Sequence, residues 1–316
     1  VGLEIITMGR VSVDLYPEQI NVPLAEVRSF AKSLGGSPTN VAVAAARLGR
    51  RSAVVTKVGD DGFGTYVRRA LEGFGVDPRW VGTDSQLRTP LAFCEIYPPD
   101  HFPLLYYRQP TAPDMRLRPE DLDPAAIVAV PLFWATHTGL YEEPGRGTTL
   151  DALARRGRRA HTVFDCDYRP MLWASVDDAR RLAREAIRLA SVVVGNLEEI
   201  EMATGSGEPE EAASALLDQG VTLAVVKLGP RGVFAATAGE QLMVPSVPVE
   251  VLCGLGAGDA FGGALCHGLL SEWPLRRTIE FANAAGAIVA SRLACADAMP
   301  DESEVEAMMA GAEADA

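Results

Sequence analysis

The sequence predicts an α/β fold: a three-layer α/β/α core on a mostly parallel sheet, with a small β lid beside it. Three observations carry this. Strand-like and helix-like segments alternate along most of the 316 residues. The strand-like runs are short and continuously apolar, as in strands covered on both faces. Two segments containing Pro and aromatic residues break the alternation. At roughly 150 residues per domain the length allows two domains, or one large α/β domain with an appendage. The second is expected: a single domain over residues 1–316, its lid inserted at about 11–34 and 89–111.

Taken in order, Glu4–Met8 reads as a strand ending at Gly9. Ser37–Leu48 reads as a helix, because Ser37 can N-cap, Pro38 suits the first helical position and Gly49 stops it. Ser52–Val58 is the next strand and Gly64–Gly73 the next helix. Ala160–Phe164, Ser191–Val194 and Val221–Lys227 read as buried strands, with Asp177–Leu189 and Glu210–Gln219 as the helices between them. This order predicts parallel pairing with helices on both faces. Val247–Leu252 reads as a strand leading into a glycine-rich turn, followed by a helix over Ala260–Leu270. The Glu/Ala-rich tail past Asp301 reads as a last amphipathic helix fraying into Gly311–Ala316. The two interrupting segments, Val11–Lys32 and Pro90–Arg108, alternate with period two and could pair as a small antiparallel sheet. Two long surface loops are the alternative, but structureless loops of that length are uncommon in a compact domain.

Composition narrows the function classes. A net charge of −13, from 29 basic and 42 acidic side chains, speaks against nucleic-acid binding and against docking on anionic membranes. No apolar run approaches the roughly 18–20 residues of a membrane span. The N-terminus carries no basic segment followed by an apolar run. The five cysteines (94, 166, 253, 266 and 295) form no Cys-x-x-Cys pair, so neither a disulfide framework nor a zinc site is expected. A cytoplasmic location is the expectation.

Three segments carry chemistry. Gly254-Leu255-Gly256-Ala257-Gly258-Asp259 stands between a strand-like and a helix-like run. Glycines there let backbone N–H groups point at an anion, and the helix N-terminus adds partial positive charge. A carboxylate at Asp259 would repel that anion unless it had its own task. One such task is accepting the proton of a hydroxyl that attacks a phosphoryl group; the alternative is a plain helix cap. Gly35-Gly36-Ser37-Pro38-Thr39-Asn40 opens a helix, with glycines that permit close ligand approach and an Asn suited to sugar hydroxyls. Asn196-Leu197-Glu198-Glu199 follows a strand and offers hard oxygens for a Mg²⁺ that arrives with a nucleotide. A helix N-terminus with dipole-favoured acids is the alternative. The glycine spacing is Gly-x-Gly-x-Gly, which is not the dinucleotide fingerprint, and there is no Gly-Lys for a phosphate-binding Walker loop and no Gly-x-Ser-x-Gly elbow.

Together these segments resemble the ribokinase-like, or PfkB, family of carbohydrate kinases. Gly35–Asn40 running to Gly49 resembles its first signature, and Gly254–Ala264, with Gly256–Asp259, its second. Asn196–Glu199 matches its Asn-x-x-Glu motif, and Gly9 with Asp14 its N-terminal Gly–Asp pair. The resemblance implies a ribokinase-like fold, ATP and Mg²⁺ as cofactors, and Asp259 as the catalytic base. It implies that the backbone N–H groups of Gly256, Ala257 and Gly258 form an anion hole. Asn196 and Glu199 would organise Mg²⁺, through water, and the phosphates. Lys227, Gly229 and Gly232 resemble the nucleotide-contacting strand and loop, and Asn283 part of the adenine pocket. Asp14, Gly35, Gly36 and Asn40 would hold the sugar. Tyr106 and Arg108, and Arg169 in Asp165–Arg169, resemble positions that acid-sugar kinases of the family use for a carboxylate. The runs Met8–Gln19, Phe93–Asp100, Asp165–Trp173 and Gly262–Leu269 point to that acid-sugar group. Many members also hold K⁺ near the second signature. Cys253, where the family has Asp, Asn or Ser, offers a soft thiol, so only backbone carbonyls could serve a K⁺ ion here. An exposed lid sheet could pair across a homodimer. A non-catalytic sugar- or nucleotide-binding regulator on the same fold is the rival function, against which the intact Asp259 speaks.

Overall fold

The computed structural model describes residues 2–314. The chain opens with β1 (Ile5–Met8), β2 (Ser12–Pro17) and β3 (Phe30–Gly35), then α1 (Ser37–Arg47) and β4 (Ser52–Gly59). Next come α2 (Gly62–Gly73), β5 (Val81–Asp84), β6 (Leu91–Cys94), β7 (Leu104–Tyr107) and α3 (Pro124–Ala129). The middle of the chain adds β8 (Leu132–Thr136), α4 (Gly145–Arg156), β9 (Thr162–Asp165), α5 (Val176–Ile187), β10 (Val192–Asn196) and α6 (Leu197–Thr204). It ends with α7 (Pro209–Asp218), β11 (Leu223–Lys227), β12 (Val233–Ala236), β13 (Gln241–Val244), α8 (Ala257–Leu270), α9 (Leu275–Ala290) and α10 (Glu302–Ala314). Short 3₁₀ turns connect several of these.

Nine strands form the main sheet, in the order β13-β12-β11-β10-β9-β8-β1-β4-β5. All neighbours pair parallel except β11–β12 and β12–β13, a meander at one edge. Period-two alternation sends successive side chains of each strand to opposite layers. Ile5, Val54 and Trp134 pack with α1, α2, α8 and α9 on one face. Ile6, Val55 and Phe133 pack with α3 to α7 on the other. Because both faces are covered, β1, β8 and β9 are buried along their whole length.

The second sheet, in the order β3-β2-β6-β7, is built from the two segments that broke the alternation. It is mixed rather than antiparallel, since β2 runs parallel to β6. That pairing follows from topology: β2 and β6 each continue directly from a strand of the large sheet, β1 and β5, and those two strands run the same way. Beneath it lies a small cluster of Tyr16, Cys94, Ile96, Cys253 and Cys295.

Two local expectations change. Val247–Leu252 is not a strand; Pro245 and Pro248 remove two donors, and the Leu252 and Cys253 N–H groups instead donate to the carbonyl of Ala290 at the end of α9. Ser37 is not the N-cap of α1. Gly36 holds that position at φ +98°, where a Cβ would lie 2.5 Å from the Arg10 carbonyl oxygen. The Ser37 hydroxyl is thereby turned toward Asp165. The last helix is present, and Asp315 and Ala316 lie outside the described residues. No described helix is long and apolar enough to cross a membrane.

Candidate active site

The strand order reverses direction at β1 and β8, and in parallel sheets ligands settle beyond the carboxyl ends at that reversal. Here those ends supply Arg10 after β1, Thr138 after β8, Asp165 and Asp167 at β9, Asn196 at β10 and Lys227 at β11. The N-termini of α1 and α8 face them, and the second sheet closes one side. A cavity of about 60 Å³, room for a few waters or part of a small polar ligand, is lined by Arg10, Asp14, Asn40, Tyr106, Arg169 and Asp259 among others.

Asp259 sits in the first turn of α8, but it does not cap the helix. Gly256 is the N-cap, at φ +84°, and a Cβ there would lie 2.8 Å from the Cys295 sulfur. The carboxylate turns into the cavity and accepts a 2.8 Å hydrogen bond from Asn40 Nδ2. Burial raises the Asp259 pKa and Asp167 adds to the rise, while hydrogen bonds from Asn40 and Ser37 oppose it. Asn40 is buried, and its Oδ1 has no partner among the described residues. A buried acceptor of that kind invites a ligand hydroxyl.

The N–H groups of Gly256 and Gly258 have no acceptor among the described residues, while Ala257 donates to the Gly254 carbonyl at 3.4 Å. Lys227 approaches the same turn: its Nζ would lie 3.2 Å from a Cβ at Gly258. Burial would lower the Lys227 pKa, but Asp165, Glu199 and Asp259 hold it raised and the ammonium charged. Helix terminus and ammonium together favour an anion at this spot.

Asp14 lies on β2, with Ser12 Oγ donating to it at 2.6 Å. Gly35 leaves the space this carboxylate fills, since any Cβ there would collide with it. Burial and nearby Asp259 push the Asp14 pKa up to about 6.

Asn196 and Glu199 form a capping box. Asn196 Oδ1 accepts from the Glu199 N–H and a Glu199 oxygen accepts from the Asn196 N–H, each at 2.8 Å. Most of their bonding capacity is therefore spent on the helix end. Among the described residues no group of three His, Cys, Asp or Glu side chains could hold a metal. The oxygen chemistry fits Mg²⁺ only as a contact made through water to an ion carried in on phosphates. Cys253 is fully buried beneath the second sheet, and burial pushes its thiol up to about 11, so its side chain offers nothing to K⁺.

Gly229, Gly232 and Asn283 lie together on the flank beyond β11. Asn283 Nδ2 donates to the Pro245 carbonyl at 2.6 Å, and Ser246 Oγ donates to that of Pro230 at 2.7 Å. One short segment thus joins α9 to the Gly229–Arg231 turn.

The expected carboxylate contacts divide. Tyr106 and Arg169 line the cavity. Arg108 does not. It is buried with its two Nη groups on Asp114, at 2.6 and 3.2 Å, and a further bond to Tyr141. The run Tyr-Tyr-Arg cannot reveal this. Strand alternation would put Arg108 on the side of Tyr106, but β7 ends at Tyr107 and the rule stops there. Arg108→Met is expected to lower stability by about 3–5 kcal/mol, by stranding the buried Asp114, without altering the preference between acidic and neutral substrates. Denaturant unfolding and paired kinetics would check both parts.

Residues that sequence reasoning missed are Arg10 and Asp167. Arg10 Nε and Nη2 both lie 3.4 Å from Asp167 Oδ2, and Arg169 Nη2 lies 2.7 Å from Oδ1. Burial alone would raise Asp167, but Arg169 and Arg10 hold it well below the usual carboxylate range. Its neighbour Asp165, with the same burial and only Lys227 to offset it, is raised. A charged residue closing an otherwise apolar strand was the available signal for Arg10. Tyr16 on β2 adds another link, its hydroxyl 2.6 Å from the Cys295 sulfur.

Comparison with known proteins agrees with this geometry. The model of the pfkB family carbohydrate kinases matches residues 3–302. A Geobacillus kaustophilus protein named 5-dehydro-2-deoxygluconokinase is 33% identical over 311 residues, covering 96% of this chain and 92% of its own. A Vibrio cholerae fructokinase solved with fructose, ADP and potassium superposes with a TM-score of 0.85 at 27% identity, covering 98% of this chain and 99% of its own. An Escherichia coli structure described as a putative ribokinase II with ATP and Mg²⁺ shares the fold, with a TM-score of 0.89 at 24% identity over 98% of this chain and 99% of its own. The chain belongs to the pfkB family of carbohydrate kinases and is an ATP-dependent sugar kinase.

Proposed function

We propose that this kinase transfers the γ-phosphoryl group of ATP to the terminal hydroxyl of 5-dehydro-2-deoxy-D-gluconate, giving the 6-phosphate, as a step of myo-inositol breakdown. The observation that carries the reading is the position of Asp259. Its carboxylate is anchored on Asn40, beside the free N–H groups of the α8 turn and the Lys227 ammonium. A hydroxyl bound there has a base on one side and an anion site on the other. The name of the Geobacillus relative supports the choice of sugar.

In this mechanism Asp14 and Asn40 Oδ1 accept bonds from sugar hydroxyls, which orients the chain of carbons. Asp259 takes the proton of the attacking hydroxyl. An Asp is a weak base for an alcohol, but it suffices when the transition state is loose and the proton leaves late. The Gly256–Gly258 N–H groups and Lys227 stabilise the charge on the moving phosphoryl. Mg²⁺, held through water by Asn196 and Glu199, would neutralise the nucleotide phosphates. Gly229, Gly232 and Asn283 would contact the nucleotide. Arg169 would meet the substrate carboxylate.

ADP release with ATP and Mg²⁺ tests the reading against 5-dehydro-2-deoxygluconate, 2-keto-3-deoxygluconate, fructose and ribose. A strong preference for the first is expected. Preference for 2-keto-3-deoxygluconate would keep the acid-sugar site and move the substrate; preference for fructose or ribose would discard the carboxylate role. Arg169→Ala is expected to lower kcat/KM for the sugar acid by roughly 10- to 100-fold, the value of a lost charged hydrogen bond, and to affect fructose far less. Equal losses on both sugars would remove Arg169 from substrate binding.

A further inference from the structure

Arg10 is buried, follows β1 at the point where the strand order reverses, and lines the same cavity as Asp14, Asn40, Tyr106, Arg169 and Asp259. Its geometry is unusual for a structural arginine. Both of its bonded nitrogens reach one oxygen, Asp167 Oδ2, at a long 3.4 Å. That oxygen already accepts a 2.9 Å bond from Thr138 Oγ1. Arg169 Nη2 lies 2.7 Å from the other oxygen, Oδ1, as an ion pair without hydrogen-bond alignment, so Oδ1 accepts no hydrogen bond among the described residues. One carboxylate is therefore shared by two guanidinium groups.

Donors are left over. Arg10 Nη1 has no acceptor among the described residues. Arg169 Nε is buried without a partner among the described residues, while its Nη1 reaches Glu199 at 3.3 Å and the Tyr168 carbonyl at 3.1 Å. Leaving donors of a buried cation unmet is costly unless something else meets them. The face of Tyr106 lies 5.9 Å from the Arg10 guanidinium and limits where it can turn. Arg108 also has a buried Nε without a partner among the described residues, but it differs in its carboxylate: its two Nη groups are spread over both oxygens of Asp114, which no other arginine shares among the described residues.

We propose that Arg10 is a specificity-determining residue: with Arg169, and with Asp167 as the bolt between them, it grips the acidic end of the substrate. The inference rests on the sugar-acid reading above. A planar carboxylate suits two guanidinium forks held at a fixed separation. Asp167 sets that separation and keeps the two cations from repelling each other apart.

The test uses the purified full chain with Arg10→Gln and Arg10→Lys, assayed on 5-dehydro-2-deoxygluconate and on fructose. Arg10→Gln is expected to raise KM for the sugar acid roughly 10- to 100-fold, with a smaller effect on kcat and on fructose. Arg10→Lys should recover part of the loss, since a point charge replaces a fork. Thermal shifts by each sugar provide a second readout that does not depend on turnover. The sugar acid should stabilise the wild type and stabilise Arg10→Gln much less. If the wild type prefers the sugar acid and Arg10→Gln keeps that preference, Arg10 is not the determinant, while the substrate reading stands. A loss confined to kcat and equal on both sugars would likewise overturn it, placing Arg10 in the electrostatic support of Asp259. If the wild type shows no preference for the acid, the substrate reading fails and this inference falls with it. Should Arg10→Gln not fold, Arg10→Lys decides alone: unchanged KM for the acid and an undiminished thermal shift overturn the proposal.

Discussion

Asp259→Asn is expected to reduce kcat by about 10²–10⁴-fold while leaving sugar binding within about threefold of wild type. The asymmetry follows from the site. Asn40 Nδ2 can still donate to the amide oxygen of the new side chain, so the α1–α8 junction and the sugar cradle survive. Only the proton acceptor is gone. Single-turnover kinetics with a binding titration separates the two, and an unaltered kcat would remove Asp259 from the chemistry. The wild-type pH profile supplies an independent check. A base acts only when deprotonated, and burial raises the Asp259 pKa. The rate therefore falls as pH drops through that raised value, and Asp14 separately weakens sugar binding as pH falls through about 6. Stability runs the other way for these two groups. Their folded-state pKa values exceed the unfolded ones, so the folded state binds more protons and both groups favour folding as pH falls.

Lys227→Met is expected to cost about 10²–10³-fold in kcat, the usual penalty for removing a preorganised charge from a transition state. Met keeps the volume of the stem and removes only the ammonium. In the wild type that ammonium serves two ends: the anion site at the α8 turn, and the carboxylates Asp165, Glu199 and Asp259. The variant should therefore also unfold at lower temperature, and Asp165 should rise further in pKa as its main counter-charge disappears. Kinetics at saturating ATP, paired with calorimetry, measures both. A kcat within about threefold of wild type would make Lys227 a structural counter-ion alone.

Much of this molecule was legible from residue order. Continuous apolar runs separated by amphipathic ones have few solutions besides a covered parallel sheet, and the Gly256–Asp259 run stands at a helix N-terminus with its carboxylate turned into the cavity, as its residue types suggested. What stayed hidden depended on three-dimensional direction. Arg108 is two residues past Tyr106, yet it lies just beyond the end of β7, where alternation no longer dictates its side. Asp114 claims it there. Arg10 and Asp167 are 157 residues apart and meet only because β1 and β9 flank β8. For Asn196 and Glu199 the structure shows the plainer of their two readings, a capping box at the start of α6, which residue order alone could not separate from a contact to Mg²⁺. The Val247–Leu252 error has a local cause: Pro248 within it and Pro245 just before it left too few donors for a ladder.

One line of contacts crosses between the two sheets. Tyr16 belongs to β2, its hydroxyl rests on the Cys295 sulfur, and that sulfur fills the space where a side chain at Gly256 would be. Two residues from Tyr16 along the same strand is Asp14, which would feel the sugar first. β2 thus meets the N-cap of α8 through a single sulfur atom, by a route outside the nine-stranded sheet. The packing of β2 and the packing of the α8 turn therefore share one atom, and a larger side chain at position 256 or 295 is felt at both.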